Sequence, residues 1–224
     1  MLTDLRILEL LASKICHDLV SPVGAINNGV ELIEDIGGDV VDEAMQLIRN
    51  SAEQAARRLR LFRLAYGRAG ADSNLTFKDA QETLSGHFEQ SKTRLQFAGD
   101  FPPHGFLENR GALKHLLNLA LLAEEILIYG GTLTFSSGTY DAPSAVVLTA
   151  TGRGATLNDA MLTALQGTAP VEAITPRTVH AYVTGRFIAL YDFQLNTQSP
   201  AAETVAFQLR PAGSPPQEAP HTPV

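Results

Sequence analysis

Two adjacent residues, His17 and Asp18, carry the side chains best suited to chemistry in this sequence. An imidazole can act as a nucleophile or as an acid–base group near neutral pH, and a neighbouring carboxylate can accept a hydrogen bond or a proton from it. Pro22 follows where the pattern otherwise predicts helix, and a proline inside a helix costs about 3 kcal/mol. Because such a residue does not serve helix stability, it indicates a loosened turn just after the histidine.

The segment around His17 has the apolar periodicity of a long helix. Apolar or small residues recur at alternating steps of three and four, which is the pattern of a coiled-coil seam. With Ile15 and Leu19 on the seam, His17 falls on the opposite side of the helix and points to water. The predicted seam comprises Leu5, Leu8, Ala12, Ile15, Leu19, Pro22, Ile26, Gly29 and Ile33.

A second helix with the same periodicity follows Gly37 and Gly38, which end the first one. The short connection makes the two helices antiparallel neighbours. Apolar side chains beside the seams, such as Val20, Val23 and Val30, cannot all be buried within one hairpin. The sequence therefore predicts a homodimer in which two hairpins form a four-helix bundle. The second seam comprises Val41, Met45, Ile48, Ala52, Ala55, Leu59, Phe62 and Tyr66.

The rest of the chain mixes helix and strand signals, so the predicted fold class is α+β. We expect an α/β sandwich with a mixed sheet and with helices mostly on one face. The predicted domains are the hairpin at 1–69, a linker at 70–74, the sandwich at 75–210 and a Pro-rich tail at 211–224. Helix starts are predicted at Thr76, Asn109, Asn158 and Thr175-Pro176. Strands are predicted at 94–98, 132–137, 145–151, 192–198 and 203–209.

The composition excludes several classes of function. Hydrophobic residues make up 45% of the chain and charged residues 18%, which is typical of a globular protein. A net charge of −7 disfavours binding to nucleic acid or to a membrane surface. The single cysteine, Cys16, excludes a disulfide framework, and the histidines lack metal-ligand spacing. With no signal peptide or membrane span in the sequence, we expect a cytoplasmic protein without a metal site.

The residues around His17 resemble the phosphoacceptor box of two-component histidine kinases. In that box a histidine, an acidic residue, a Leu, two variable residues and a Pro follow one another, as they do at 17–22. The resemblance implies that His17 carries a phosphoryl group and that Asp18 accepts a hydrogen bond or a proton beside it. Lys14, one turn earlier, could offset the phosphate charge. For Lys14 and Asp18 the alternative interpretation is a charge on a solvated helix face.

The second domain resembles the ATP-binding (Bergerat) domain of those kinases but lacks its nucleotide contacts. In the kinase box Asn-Leu-x-x-Asn-Ala the second Asn holds Mg²⁺, whereas this chain has Leu122 there. The Asp that binds adenine in the box Asp-x-Gly-x-Gly corresponds to Ala150. The helix after the kinase phosphate loop begins here at Thr175-Pro176, without a glycine. The resemblance therefore implies a degenerate domain that binds neither ATP nor any other cofactor.

Over residues 5–209 the chain resembles the histidine phosphotransferase ChpT family of alphaproteobacteria. The resemblance lies in 17–22 with 25–29, in 59–67, in 116–119, in Glu124-Glu125 before Gly130-Gly131, and in 179–182. It implies a relay in which the receiver domain of a CckA-like hybrid histidine kinase donates a phosphoryl group to the histidine. CtrA-like and CpdR-like response regulators would then accept the group. The receiver would supply the Mg²⁺ that the reaction needs.

A docking surface for these receivers is predicted around His17. Its candidates lie on the outward faces of the two helices, near the level of His17 because the hairpin turns close to residue 37. The candidate residues are Lys14, Ser21, Gly24, Asn28, Asn50 and Arg57. Arg57 belongs to a basic cluster with Arg58, Arg60 and Arg63 that could attract the acidic pocket of a receiver. Solvated arginines that cover helix surface are the alternative interpretation.

Two other functions stay open at this stage. The chain could be a divergent kinase that phosphorylates itself from ATP, or a non-catalytic dimeric scaffold that binds response regulators while His17 is idle. The missing nucleotide contacts count against the kinase. The position of His17 beside Asp18 and Pro22, on the open side of the helix, counts against the scaffold.

Overall fold

An antiparallel helical hairpin opens the computed structural model, which describes residues 2–71, 74–138 and 144–213. Helix α1 spans Leu2–Asp35 and helix α2 spans Val41–Ala65, with a 3-10 turn at Gly38–Val40 between them. Gly37 and Gly38 both have a φ of 59°, in the left-handed region that glycine adopts without strain. These two glycines end α1 and reverse the chain, as the sequence predicts. With 34 residues, α1 is about 50 Å long.

The second domain is built on a five-stranded sheet of order β1-β2-β3-β5-β4. The strands are β1 (Thr93–Ala98), β2 (Gly131–Ser137), β3 (Val146–Thr151), β4 (Phe193–Ala201) and β5 (Thr204–Pro211). Strands β1 and β2 pair in parallel, and the other neighbours are antiparallel. The prediction of a mixed sheet in an α+β fold is therefore confirmed.

Four helices accompany this sheet: α3 (Phe77–Phe88), α4 (Ala112–Ile126), α5 (Asp159–Leu165) and α6 (Val179–Leu190). Along the central strands every second side chain is buried, including Leu133, Phe135, Leu148 and Phe207. This alternation means that one face of the sheet is packed against the core, while the other is more open. Helix α4 is buried along nearly its whole length and forms the centre of the domain.

Two of the predicted helix caps are confirmed. Thr76 and Asp79 form a reciprocal capping box at the start of α3. The side chain of Asn158 accepts a hydrogen bond from the backbone N–H of Met161 at the start of α5. In both places the cap and the helix it begins are adjacent in sequence, so local chemistry decides the boundary.

Two other predicted helix starts are wrong. Helix α4 begins after Gly111, because the Asn109 side chain instead donates to the carbonyl of Gly105 in the preceding turn. Helix α6 begins at Val179 rather than at Pro176, since the hydroxyl of Thr178 accepts from the backbone N–H of Thr175 and closes a separate turn. In both cases a side-chain hydrogen bond stabilises a turn that competes with the helix.

The predicted domain boundaries fall near changes in the fold. A 3-10 turn at Arg68–Ala71, with Gly70 buried, overlaps the predicted linker, of which residues 72–73 lie outside the described part. Pro211, the first residue of the predicted tail, is the last of β5. Residues 214–224 of that tail lie outside the described residues. Over the described ranges, none of the helices combines the length and the apolarity needed to cross a membrane.

The seam predicted for α1 holds only in its second half. Pro22 and Gly29 are buried, whereas Leu5 and Leu8 are 51% and 61% exposed. Helix α2 ends at Ala65 and does not accompany the first turns of α1, which instead contact α6 and the 3-10 turn at Val171–Ala173. The inner face of these turns is formed by Ile7, Leu10 and Leu11.

Two glycines of α1 give a matched test of the hairpin packing. A Cβ on Gly29 would lie 2.6 Å from Ile48 Cγ1 and 3.2 Å from the carbonyl oxygen of Ala44, whereas a Cβ on Gly24 meets no heavy atom within 4 Å. We expect Gly29→Ala to lower the free energy of unfolding by about 1–3 kcal/mol through overpacking. Gly24→Ala should raise it by about 0.5–1 kcal/mol through helix propensity. Urea unfolding followed by circular dichroism measures both, and equal stability of the two variants would contradict the packing.

Candidate functional site

His17 lies near the middle of α1 with its side chain 89% exposed. Its Nδ1 is 3.3 Å from Oδ1 of Asp18. A neutral imidazole with its proton on Nδ1 donates to this carboxylate and keeps a lone pair on Nε2. Nε2 is then the nitrogen available to an incoming electrophile. The pair therefore has the geometry that a nucleophilic imidazole needs, with its ring oriented by a neighbouring carboxylate.

Pro22 has a specific consequence for the turn that carries His17. In a regular helix the carbonyl of Asp18 accepts a hydrogen bond from the N–H of residue 22, but proline has no N–H. Nη1 of Arg58 on α2 donates to this carbonyl instead. The proline thus does more than loosen the turn, since it frees an acceptor through which α2 holds Asp18 in place.

Lys14 lies on the side of α1 that faces the second domain, one turn before His17. Its Nζ is 2.8 Å from Oε1 of Glu125 on α4 and 3.9 Å from Oδ2 of Asp18. Burial by itself lowers the pKa of Lys14, but the carboxylates of Glu125 and Asp18 outweigh it, so that the pKa is raised. The side chain is therefore a cation at neutral pH and part of the contact between the domains.

The remaining candidates on α1 share an open surface with His17. Ser21 and Asn28 are exposed, and Gly24 between them is half-buried with free space beyond its Cα. Asn50 on α2 is also exposed. Apart from Val20, which lies one turn after His17 and is 67% exposed, the residues around the imidazole are thus small or polar.

Arg57 points towards the second domain and not outward as predicted. Its Nη1 is 2.5 Å from the carboxylate of Glu89 and donates to the carbonyl of Gly86 at 3.4 Å. Arg60 lies 3.9 Å from Asp79. The basic cluster of α2 therefore serves in part to attach α3, and the direction of these long side chains follows the helix that packs beside them.

Buried polar side chains of α4 hold the end of α2. Nζ of Lys114 donates to the carbonyl of Gly67 at 2.7 Å and lies 4.1 Å from the ring centre of Phe187. Nδ2 of Asn118 donates to the carbonyl of Ala65 at 2.8 Å. Both side chains are fully buried, and burial lowers the pKa of Lys114 to about 8. Lys114 was not predicted from the sequence, although a polar pair spaced by four residues in an apolar helix is a usable signal.

His180 on α6 completes this attachment, and we call Lys114, Asn118 and His180 the α2 anchor. Nε2 of His180 lies 3.0 Å from the carbonyl oxygen of Asn118, so it must donate. Nδ1 then accepts from the hydroxyl of Tyr66, also at 3.0 Å. Burial lowers the pKa of His180, which agrees with a neutral ring. The anchor joins the last turn of the hairpin to both main helices of the second domain.

Comparison with known proteins decides the family. The family model for the histidine phosphotransferase C-terminal domain matches residues 77–203. The protein phosphotransferase ChpT of Brucella abortus (strain 2308) is 36% identical over 184 residues, which are 82% of this chain and 85% of that protein. The chain belongs to the ChpT histidine phosphotransferase family. A solved bacterial phosphotransferase is also similar, with a TM-score of 0.73 and 32% identity over 92% of this chain and 96% of that one.

In this member of the ChpT family, the positions that resemble kinase nucleotide boxes are part of the core. Leu122 and Ala150 are fully buried and present only apolar atoms. Asn118, the one Asn kept from the first box, is also fully buried and donates to the hairpin as part of the α2 anchor. Within the described ranges, no group of three or more His, Cys, Asp or Glu side chains is arranged to hold a metal ion.

His115 is a buried histidine that the chemistry of the site does not use. Its ring packs against Tyr191 and Phe193, and neither ring nitrogen has a hydrogen-bond partner among the residues that the structure describes. Burial, assisted by the neighbouring charge of Lys114, lowers its pKa to about 3. The folded protein therefore holds this imidazole neutral, whereas the unfolded chain protonates it near pH 6.5.

We expect His115→Leu to make the protein less sensitive to acid. Below about pH 6.5 His115 is protonated in the unfolded state but stays neutral in the folded state. The free energy of unfolding therefore falls by up to about 1.4 kcal/mol per pH unit as the pH is lowered towards 3. Urea unfolding at pH 7.5 and pH 5 should show a smaller loss for His115→Leu than for the wild type. His104→Leu, at an exposed histidine, is the control and should keep the wild-type loss. An unchanged pH dependence in His115→Leu would contradict this assignment.

Proposed function

We propose that this protein transfers phosphoryl groups in a phosphorelay, with His17 as the phosphoacceptor. The observation that carries the proposal is the exposed imidazole whose Nδ1 contacts Asp18, in a family of histidine phosphotransferases. The donor is the receiver domain of a CckA-like hybrid histidine kinase. The acceptors are CtrA-like and CpdR-like response regulators, and the relay operates in the cytoplasm.

The proposed reaction is an in-line displacement at phosphorus. The lone pair on Nε2 of His17 attacks the phosphorus of the aspartyl phosphate, a P–N bond forms, the P–O bond breaks and the receiver carboxylate leaves. The imidazole gains positive charge as the P–N bond forms, and the carboxylate of Asp18 at Nδ1 offsets that charge. The same steps in reverse pass the group to the aspartate of the next regulator. Positioning carries most of the catalysis, and the receiver supplies the Mg²⁺.

Receivers are proposed to dock on the open face around His17. Ser21, Gly24 and Asn28 on α1, with Asn50 on α2, offer a surface without large side chains, on which a convex partner can bring its aspartate close to the imidazole. Lys14 and Arg57 contact the second domain in the free protein. Their contribution to docking is therefore proposed to be indirect and small, through the placement of the helices.

The second domain is proposed to be a degenerate kinase ATP-binding (Bergerat) domain that does not bind ATP. Leu122 stands where the resemblance requires a ligand for Mg²⁺, and it has no oxygen atom. Ala150 stands where it requires an acceptor for the adenine amino group. Burial of both side chains in the core supports the proposal, because a polar nucleotide contact at either place would be unfavourable.

Phosphotransfer can be tested with a radiolabelled phosphoreceiver freed of ATP. We expect the wild type and His104→Ala to take up acid-labile label, and His17→Ala to take up none. Asp18→Asn should slow the transfer roughly a hundredfold, because it removes the carboxylate charge that offsets the positive charge developing on the imidazole. Label from ATP alone would indicate a kinase, absence of label in the wild type would indicate a scaffold, and labelling of His17→Ala would place the acceptor elsewhere.

We further propose that the protein is a homodimer joined through the hairpins. Large apolar side chains are exposed along the outer side of both helices, in a stripe that a second copy would cover to form a four-helix bundle. The stripe comprises Leu5, Leu8, Val20, Val23, Val30, Met45 and Leu59. Apart from Val20, which lies one turn from His17, the residues of this stripe on α1 lie on a different side of the helix from the imidazole, so that most of the imidazole's surroundings stay open in the dimer.

A charge within this stripe should separate the two copies. We expect Leu59→Glu, at a leucine that is 53% exposed in the monomer, to give a folded monomer because the dimer would bury the new carboxylate without a partner. Leu190→Glu is the matched control, since Leu190 is 69% exposed but lies on α6, outside the hairpin. Light scattering at equal concentrations measures the mass, and a monomeric wild type or a dimeric Leu59→Glu would contradict the proposed interface.

A further inference from the structure

A continuous chain of polar contacts leads from the second domain to His17. Glu125 on α4 binds Nζ of Lys14 at 2.8 Å, and the same Nζ lies 3.9 Å from Oδ2 of Asp18. The other carboxylate oxygen of Asp18, Oδ1, lies 3.3 Å from Nδ1 of His17. A cavity of 230 Å³ borders Lys14, Asp18 and Glu125, so their side chains have room to exchange partners. The backbone of Asp18 stays fixed, because Arg58 donates to its carbonyl.

Lys14 lies closer to Glu125 than to Asp18, which leaves the carboxylate of Asp18 available to His17. The ammonium is in direct contact with Glu125 and more than an ångström farther from Asp18. Lys14 and Asp18 are one helical turn apart on α1, a spacing at which opposite charges attract. Without Glu125, the ammonium would be free to close on Asp18 and draw its carboxylate away from the imidazole. Without Lys14, the carboxylates of Glu125 and Asp18 would repel each other across the cavity.

We propose that Glu125 is a positioning residue for phosphotransfer, which holds Lys14 at a fixed distance from Asp18 and thereby keeps Asp18 on Nδ1 of His17. This inference rests on the proposed role of His17. It gives the second domain a part in the chemistry without any contact between that domain and the phosphoryl group. The step itself is unchanged, since neither Lys14 nor Glu125 gains or loses a proton in it.

The test compares variants of this chain of contacts with a neighbour on the same turn. Glu125→Gln removes the charge that holds Lys14, and Lys14→Met removes the ammonium but keeps an unbranched side chain of nearly the same length. Glu124→Gln is the matched control, because Glu124 is the adjacent carboxylate of α4 and borders the same cavity, but forms its ion pair with His87 at 2.7 Å. Lys14→Arg is the conservative variant, which keeps the cation. Each is mixed in the full-length protein with an excess of phosphorylated receiver, over a range of receiver concentrations.

We expect Glu125→Gln and Lys14→Met to lower the maximal transfer rate roughly tenfold, because the ring is no longer held in the reactive orientation. The receiver concentration at half-maximal rate should stay within about twofold, which separates positioning from docking. Glu124→Gln should transfer at the wild-type rate, and Lys14→Arg within about threefold of it. A higher half-maximal concentration with an unchanged maximal rate, or an equal loss of rate in Glu124→Gln, would overturn the proposal.

Nitrogen NMR of the His17 imidazole gives a readout that does not depend on phosphotransfer. The fraction of the tautomer with its proton on Nδ1 should fall in Glu125→Gln and Lys14→Met and stay unchanged in Glu124→Gln. An unchanged tautomer in the first two variants would refute the positioning role. Absence of transfer to the wild-type protein would instead refute the proposed function, and the tautomer measurement would still decide whether Glu125 orients the ring.

Discussion

The attachment of α2 to the second domain is the contact on which the remaining geometry depends. Lys114 and Asn118 donate from fully buried positions into the backbone of the last turn of the hairpin. Loss of such a bond leaves a buried donor unpaired, which costs about 1–3 kcal/mol and more for an ammonium. Since α1 runs antiparallel to α2, the same contacts also place α1 beside α4. Only with α1 in that place can Glu125 reach Lys14 at 2.8 Å.

Helix α1 is thus tied at several points to its neighbours, while its histidine stays exposed. Near its start, the guanidinium of Arg6 donates to three carbonyls of the segment at 171–174, and in its middle Asp18 is held by Arg58. Between and beside these ties, the side chain of His17 stays open to water. If His17 is the proposed phosphoacceptor for receivers of different sequence, this arrangement is an advantage, because orientation fixed within the protein does not have to be supplied by each partner.

The periodicity of the sequence was sufficient to predict the hairpin and the exposure of His17, because helix phase is a local property. The periodicity was not sufficient to predict the direction of the Lys14 and Arg57 side chains. These side chains are long, and their direction depends on the second domain that packs beside them. The start of α6 was mispredicted for a related reason, since the hydroxyl of Thr178 closes a turn that competes with the cap at Thr175. Glu125 was recognised only as part of a motif, because its partner lies more than a hundred residues away in the chain.

If the protein is a phosphotransferase as proposed, one cause explains both the missing nucleotide contacts and the contacts that attach the second domain to the hairpin. A kinase domain that delivers ATP must approach the histidine and then leave it free for the receiver, so it cannot be bound firmly to the hairpin. A domain that delivers nothing has no such requirement. In such a domain Asn118 can donate to the carbonyl of Ala65, and a leucine at position 122 can pack in the core. The firm attachment in turn makes a single carboxylate, Glu125, able to act on the orientation of an imidazole it does not touch.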